Sequence, residues 1–573
     1  MSIFAGVVAV APGIWISAGD CDALQRALTR QTGDHASIDR GPAHWIGQVE
    51  LPARGYAGRI ADTQGRTTLL AGRPLFASDV EPGPSDVQRL HAALLTSGTR
   101  LLDSATGSFC AVQWDPVAGC VTLVADKLGV RPLYYAICDG YLYFSTAQRV
   151  LESIAHLVDS TDERGVAEFS AFGYPLADRT PFARVRCLQS AEIVRVAVGG
   201  ATASRYWHWE RLPPQQIDEA ELPGLVHRAF VRAIERRLDG ERSAVAMLSG
   251  GLDSRCIVAV LRALGVSVHT LNFAPPSSED LVLGRLCAQA LGSRHFEFPR
   301  GPLDFWDRMK ATFDAWLEHT EANERPANPY VVWSGDGGSC GLGHIYLNPE
   351  VVRLMQQHKI ADAVDEYLDY NRIALPRKLL LRAHRDRLAA LPSQGVIEEL
   401  DRLRDVEPGR RFHSYLMQNG QRRLLVKHYE NIDLRRFELS LPFFDSDFVR
   451  LVLGSPIEGF LRHGFYVRWL REFAPEVATT PWQAYPGHVA CPVAVPPGLR
   501  NQWDGWYDDA GIRQARINGI ELGRRVLRDG RFPRNLLDRK VLRLALWLTR
   551  LGWGDYSHVF KCADVFTRYS RVS

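Results

Sequence analysis

Lysine is nearly absent from this chain. Among 68 basic residues only seven are lysine (127, 310, 359, 378, 427, 540 and 561) and the rest are arginine. With 65 acidic residues the formal charge is +3, which excludes a bulk polycation and gives no general case for nucleic-acid binding. Cysteine is sparse: there are ten, with no CxxC pair and no Cys/His cluster at zinc spacing. That excludes a structural metal knot and suits reduced, buried thiols in a cytoplasmic protein. Long hydrophobic runs are also missing. Residues 1–16 are apolar but have no basic n-region, and Pro12 and Gly13 interrupt them, so they read as a buried strand rather than a signal peptide. The apolar run at 541–548 is too short to cross a bilayer. The expectation is a cytoplasmic protein with neither a membrane nor a nucleic-acid partner. What is present argues against disorder: 24 Phe, 18 Tyr and 14 Trp are ample for cores. The 573 residues exceed what one core holds, about 250–300, so two domains are expected.

The pattern changes near residue 210. Before it, short apolar runs at 4–10, 67–71, 108–114, 121–125, 141–145 and 193–198 recur between turn signals, with helices expected at 87–95 and 149–154. These predict a two-sheet sandwich over 1–210. A linker-like break follows at 211–216. Over 211–573 the spacing predicts alternating elements: helix 226–238, strand 244–248, helix 254–264, strand 266–273, helix 280–291 and strand 295–298. Such alternation implies a parallel sheet with helices on both faces. Later segments at 361–370, 378–391, 412–429, 447–453 and 535–551 read as helical. The fold class is therefore α/β, an antiparallel sandwich followed by a parallel domain with helical additions.

The sharpest motif is Ser249-Gly250-Gly251-Leu252-Asp253-Ser254, between the strand ending at Leu248 and a helix. Paired glycines let the backbone approach a ligand, and the loop amides, hydroxyls and helix end form a phosphate cradle. Asp253 has the wrong charge to touch phosphate and is expected to act through Mg²⁺. The loop is not a Walker A motif, since it has no lysine.

The 249–254 loop resembles the PP-loop of ATP pyrophosphatases, and nearly the whole chain resembles the asparagine-synthetase-like family. Four further segments carry the resemblance: Asp126 to Tyr135, Phe144-Ser-Thr-Ala147, Ser334-Gly-Asp-Gly-Gly338 and Glu438-Leu-Ser-Leu-Pro-Phe-Phe-Asp445. In the family that the chain resembles, Asn272 and Phe273, at the end of the strand after the 249–254 loop, and Ser334, Gly335, Asp336 and Gly337, a second glycine loop, fall in the same nucleotide site, so they are expected there. The chain also departs from the family. Glutamine-hydrolysing members begin Met-Cys-Gly-Ile, whereas this sequence begins Met1-Ser2-Ile3-Phe4, so 1–210 is expected to be a degenerate amidotransferase-like domain without glutaminase activity. Ala71 to Phe76 stand where the family holds glutamine, and Ser85-Asp86 survive and are expected to cap the helix that follows. In the second loop Asp336 takes the family's Glu position and Ser339 its Asp position, which makes Asp336 a candidate metal ligand beside Asp253. The family's downstream lysine is missing between Lys427 and Lys540, and Thr480 to His488 stand in its place. An arginine is the expected replacement cation. This Trp/Gln/Tyr/His stretch and Asp336 to His344 are similar to lasso-peptide cyclases.

The resemblance implies an ATP- and Mg²⁺-dependent macrolactam synthetase. It would adenylate an Asp or Glu side chain of a leader-cleaved precursor peptide and close the ring onto the N-terminal amine. A leader peptidase and a leader-recognition protein would be partners. For the catalytic base the candidates are Glu438, Tyr415 and His488, with Tyr429, His413 and His344 also open. Trp333, Trp482 and Tyr485 are core residues or walls of a peptide pocket. The basic stretch 524–550 is a solvated helix face or a dock for an acidic partner. Two other readings stay open: a small-molecule amide or β-lactam synthetase, and an inactive peptide-binding scaffold.

Overall fold

The computed structural model describes residues 2–51, 53, 58–76, 85–96, 98–213, 217–299, 304–501 and 509–570. The N-terminal half is two six-stranded antiparallel sheets packed face to face. One sheet has the order Arg186–Cys187, Tyr134–Cys138, Tyr141–Ser145, Ser2–Ala9, His44–Glu50, Ala36–Arg40. The other runs Gly200–Arg205, Glu192–Ala197, Cys120–Ala125, Phe109–Asp115, Thr67–Gly72, Arg59–Ala61. The first strand shows why its sequence is apolar throughout. Phe4 and Val8 enter the sandwich with Leu69, Val112, Leu123 and Phe144. Ile3, Ala5 and Val7 pack on the opposite face against Cys21 and Leu24 of the helix Ala18–Leu28. A strand buried on both faces has no polar alternation to show.

The expected linker at 211–216 falls partly on 214–216, outside the described residues; Trp209–Arg211 is a single 3-10 turn. Beyond it lies a five-stranded parallel sheet ordered Arg294–Glu297, Ser267–Asn272, Ser243–Met247, Val331–Trp333, Glu438–Ser440. From the central strand Ser243–Met247 the chain fills one side of the sheet first and then returns to fill the other. This makes the carboxyl ends of Ser243–Met247 and Val331–Trp333 a topological switch point, the place where open α/β sheets bind ligands.

One expected helix is displaced. Residues 378–391 read as helical, but the helix is Arg385–Arg402. Residues 379–381 are instead extended against 536–538: Leu381 N–H donates to Leu536 O (2.9 Å) and Asp538 N–H to Leu379 O (2.7 Å). Leu379 and Leu380 are fully buried there, so tertiary pairing overrides helical spacing. The expected helix at 412–429 is also broken, into Pro408–Tyr415, a π-helical turn Leu416–Gln421 and two short turns.

The two halves are joined by buried ion pairs. Asp433, fully buried, receives Arg30 at 2.6 Å and Arg149 at 3.0 Å. Asp126 accepts backbone N–H groups from Phe109, Leu128, Val130 and Arg131 (2.9–3.2 Å), closing the turn that delivers Arg131 to Glu438 across the interface. Lys127 points the same way, with Nζ 4.2 Å from the Trp207 ring centre and bonded to the Asp103 carbonyl. No helix among the described residues is long and apolar enough to cross a membrane.

Candidate active site

The motif 249–254 sits at the switch point. It leaves the strand Ser243–Met247 and enters the helix Leu252–Ala263. Ser254 Oγ accepts from Ser249 N–H at 3.1 Å, and Ser249 Oγ accepts from Gly251 N–H at 3.2 Å, so the two hydroxyls curl the loop. Gly250 N–H is held by Asp280 Oδ1 at 3.2 Å. Burial raises the Asp280 carboxyl to about 6, partly offset by that bond. Asn272, expected to touch nucleotide, braces the loop instead: its amide donates to Leu248 O (2.8 Å) and Asp280 O (2.9 Å). Phe273 lies at the adjacent strand end, edge-on to Phe305 and under the Arg308 guanidinium.

The second glycine loop packs directly on the first. A Cβ at Gly338 would stand 2.6 Å from Asp253 Cγ, and one at Gly335 would stand 2.8 Å from Asp253 Cβ. The glycines are therefore required for two loops, 80-odd residues apart, to meet. Gly337 in addition has φ +89° and lies against the Phe444 ring. Ser334 Oγ donates to Asp336 Oδ2 at 2.5 Å. Ser339, at the family's Asp position, donates to Asp253 Oδ2 at 2.8 Å. The other oxygen of Asp253 accepts from Tyr466 Oη at 2.8 Å.

Burial raises the Asp253 carboxyl to about 6, against the pull of the Ser339 and Tyr466 hydroxyls; Asp336 adds to the rise. Asp336 is itself raised by burial. Among the described residues neither carboxylate has an ion-pair partner. Two half-buried carboxylates without a cation, beside the 249–254 loop, could hold Mg²⁺, which takes one or two carboxylates and completes its shell with other oxygen ligands and water. No group of three or more His, Cys, Asp or Glu suited to a metal occurs among the described residues, so a closed all-protein site is not built here.

The cleft in front of the loop holds about 600 Å³ and opens to solvent. Ser249, Gly251, Asp253 and Ser339 line one side; Trp482, Gln483, Tyr485 and Val489 line the other, with His463 and Ile345 between. The 480–489 stretch is fastened to the loop at two points. Gln483 N–H donates to Gly250 O at 2.9 Å. Arg255, fully buried, donates to the carbonyls of Gly251 (3.1 Å), Val477 (3.0 Å), Thr480 (2.8 Å) and Pro481 (2.8 Å). Arg255 is thus a brace, already committed to carbonyls, and not the cation expected to replace the missing lysine. The Gln483 side chain is buried, yet neither its Nε2 nor its Oε1 has a partner.

The three candidate bases are not brought together. His488 reaches the cleft's edge through His463, their Nδ1 atoms 2.7 Å apart. Glu438 opposes Val331 at the amino end of its strand, two residues before the site end, and pairs with Arg131 in the interdomain core. There it lines a separate, small pocket with Arg73, Ser108, Arg237 and Tyr429. Tyr429 lies beneath Arg131, 4.1 Å from its ring centre to the guanidinium. Tyr415 is fully enclosed by Tyr367 and Phe412, and burial pushes its phenol far up. His344 and His413 stack edge to face at 4.3 Å behind the cleft, where burial holds both well below the usual imidazole range. In the sandwich, Ser2 Oγ is buried and donates to Leu70 O at 2.8 Å. Ser85 donates N–H and Oγ–H to Gln88 Oε1 at the start of the helix Asp86–Leu95 (2.8 and 3.1 Å), the capping expected of it. Sequence reasoning missed Tyr466, Arg255, Asp280 and His463. Only Arg255, one residue past the motif, carried a local signal.

The site is therefore a glycine- and hydroxyl-lined loop with two carboxylates beside it, at the switch point of a parallel α/β domain behind an antiparallel sandwich. Residues 78–207 match the glutamine amidotransferase domain and residues 225–332 the asparagine synthase domain. Together these are the two domain types of the asparagine synthetase family. The glutamine-hydrolysing asparagine synthetase 1 of Bacillus subtilis (strain 168) is 20% identical over 282 residues, covering 47% of this chain and 44% of that protein. The human asparagine synthetase is 28% identical over 209 residues (33% and 35%), and asparagine synthetase 2 of Arabidopsis thaliana 26% over 214 (35% and 32%). The chain thus spans less than half the length of these relatives. A solved glutamine PRPP amidotransferase from B. subtilis aligns over 56% of the chain at 10% identity with a TM-score of 0.26, too distant to carry an argument.

Proposed function

We propose that this chain is an ATP-dependent, AMP-forming carbon–nitrogen ligase that closes the macrolactam ring of a lasso precursor peptide. The observation that carries ATP use is the 249–254 cradle packed against Asp336, with Asp253 and Asp336 otherwise uncompensated. In this reading the loop amides and the hydroxyls of Ser249 and Ser254 hold ATP phosphates. Mg²⁺ on Asp253 and Asp336 would neutralise the pyrophosphate leaving group. A side-chain Asp or Glu carboxylate of the leader-cleaved peptide attacks the α-phosphorus and pyrophosphate departs. The peptide's N-terminal amine then attacks the acyl carbon and AMP departs. Holding the two peptide ends together makes closure an oriented intramolecular step, worth up to about 7–11 kcal/mol.

The wall opposite the cradle supports a peptide substrate. Trp482, Tyr485, Val489 and Ile345 offer apolar surface, and the unpaired Gln483 carboxamide offers a donor beside an acceptor, the complement of a peptide group. The sandwich acts as scaffold, its Ser2 hydroxyl tied to the backbone. A leader peptidase and a leader-recognition protein complete the reading. The last helices expose Leu544, Trp547, Leu551 and Trp553 beside Arg543 and Arg550, a surface suited to an acidic partner. A cytoplasmic setting fits the consumption of ATP.

Pyrophosphate release is the test, measured with ATP, Mg²⁺ and leaderless peptides that carry a free N-terminus and an internal Asp or Glu, with mass-spectrometric loss of one water from the peptide. Release with free aspartate and ammonia, and with no peptide, would replace this reading by a small-molecule amide synthetase, which the names of the relatives favour.

A further inference from the structure

We propose that His463 and His488 form the proton-accepting pair of this cleft, taking the proton that the amine must lose as it attacks the activated carboxyl. The inference rests on the amide-forming reading above and adds to it the group that completes the chemistry. Three observations carry it.

The first is position. His463 lines the cleft together with Ser249, Asp253 and Ser339, where phosphate and the activated carboxyl would lie. It precedes the short helix Gly464–Trp469, and one turn on, Tyr466 of that helix holds Asp253 Oδ1. The other candidate carboxylate, Glu438, is spent on Arg131, and Tyr415 is enclosed.

The second is the contact itself. Two Nδ1 atoms 2.7 Å apart share one hydrogen, donated by one ring to the bare Nδ1 of the other. The donating ring must then carry a bare, basic Nε2, and the accepting ring an Nε2–H. The pair thus presents one base and, beside it, the ring that receives charge through the shared hydrogen bond. Burial keeps the two imidazoles uncharged at neutral pH, at about 3 for His463 and about 4 for His488, so the base is vacant when substrate arrives.

The third is backbone cost. Arg462 and His463 occupy the left-handed region in succession, at φ 53° and 63°, and His344 beside them does so at φ 51°. Each non-glycine residue there costs roughly 1–2 kcal/mol. His463 is further admitted only because residue 343 is glycine: a Cβ there would lie 2.3 Å from its Nε2. Gly343 O accepts His463 N–H, and Val489 N–H is bonded to Arg462 O, so both strands of the cleft rim are fixed around the pair.

The step balances without a co-reactant. The amine nitrogen bonds to the acyl carbon, the acyl carbon–oxygen bond to phosphate breaks, and AMP leaves with that electron pair. The surplus N–H proton passes to the bare Nε2 and later to water. Attack makes the amine nitrogen more acidic than the free amine, and the shared hydrogen bond from the second ring stabilises the imidazolium that forms.

His463→Gln and His488→Gln test the proposal in the full chain with ATP and Mg²⁺. Two rates are read separately: pyrophosphate release, and amide product. In parallel, hydroxylamine, an amine that needs little help, traps the activated carboxyl. In the first turnover the pyrophosphate burst and hydroxamate formation are expected within about threefold of wild type, while amide formation falls about 10²-fold or more, the usual span of a general base. Added imidazole is expected to restore part of that loss. Unchanged amide formation in both variants, or an equal fall in the first-turnover pyrophosphate burst without imidazole rescue, would overturn the proposal, the latter by making the pair a support for Asp253. Amide formation is measured with whichever amine the wild type accepts, a peptide N-terminus or ammonia. Failure of the peptide reading is then seen in the wild type alone and leaves the test of the pair intact.

Discussion

Replacing Asp253 by Asn separates what the carboxylate costs the fold from what it contributes to the site. In the folded chain its carboxyl is raised from 3.8 to about 6, chiefly by burial. One pKa unit corresponds to about 1.36 kcal/mol, so the ionised group destabilises the fold by roughly 3 kcal/mol at most. The sign follows from proton binding. The folded state holds the proton more tightly than the unfolded chain, so the stability is fully present below about pH 4 and is lost as pH rises through about 6. About half of that loss falls between pH 5 and pH 8. Asn cannot titrate, but it replaces one accepting oxygen by NH₂, so one of the two hydroxyls, Ser339 or Tyr466, must turn from donor to acceptor, a pH-independent cost of about 1 kcal/mol at most. Asp253→Asn is therefore expected to gain on wild type by about 1–2 kcal/mol on going from pH 5 to pH 8. Thermal melts of the two proteins at both pH values, with and without Mg²⁺ and ATP, read this. Ligand at a hundred times its dissociation constant would add about 2.7 kcal/mol to wild type and little to the variant. If the gap between the melts is the same at pH 5 and pH 8, the buried-carboxylate argument fails. If Mg²⁺–ATP protects the variant as well as wild type, Asp253 does not hold the cation.

Two further outcomes are expected. Arg255→Met takes the guanidinium from four carbonyls, two of them buried, and should cost on the order of 2–4 kcal/mol, with faster amide hydrogen exchange confined at first to 477–482 and the cradle; unchanged exchange there would show that the brace is dispensable. Glu438→Gln strands the buried Arg131 charge and should cost about 3–5 kcal/mol, whereas Arg131→Met with Glu438→Leu recovers most of it; simple additivity of the single losses, measured by denaturant midpoints, would refute the coupling.

Much of the fold was legible because its signals are local. A strand reports its own burial through its run of apolar residues, as the strands Ser2–Ala9 and Ser267–Asn272 do, and the glycines and hydroxyls of 249–254 bend a loop using only neighbours in sequence. The helix expected at 378–391 failed for the opposite reason: Leu379 and Leu380 serve a pairing with 536–538 that no window of sequence contains.

By itself, then, the chain's order of residues determined the cradle, its place between strand and helix, and the sheets on either side, since hydrophobic period and turn chemistry act over a few residues. Only the tertiary structure decided which groups face the cradle. It sent Glu438 and Tyr415 inward, gave Tyr466 and Ser339 to Asp253 from 213 and 86 residues away, spent Arg255 on carbonyls, and set His463 against His488. Those choices turn on which side chains meet when distant loops pack, and a side chain's chemistry belongs to its neighbours in space.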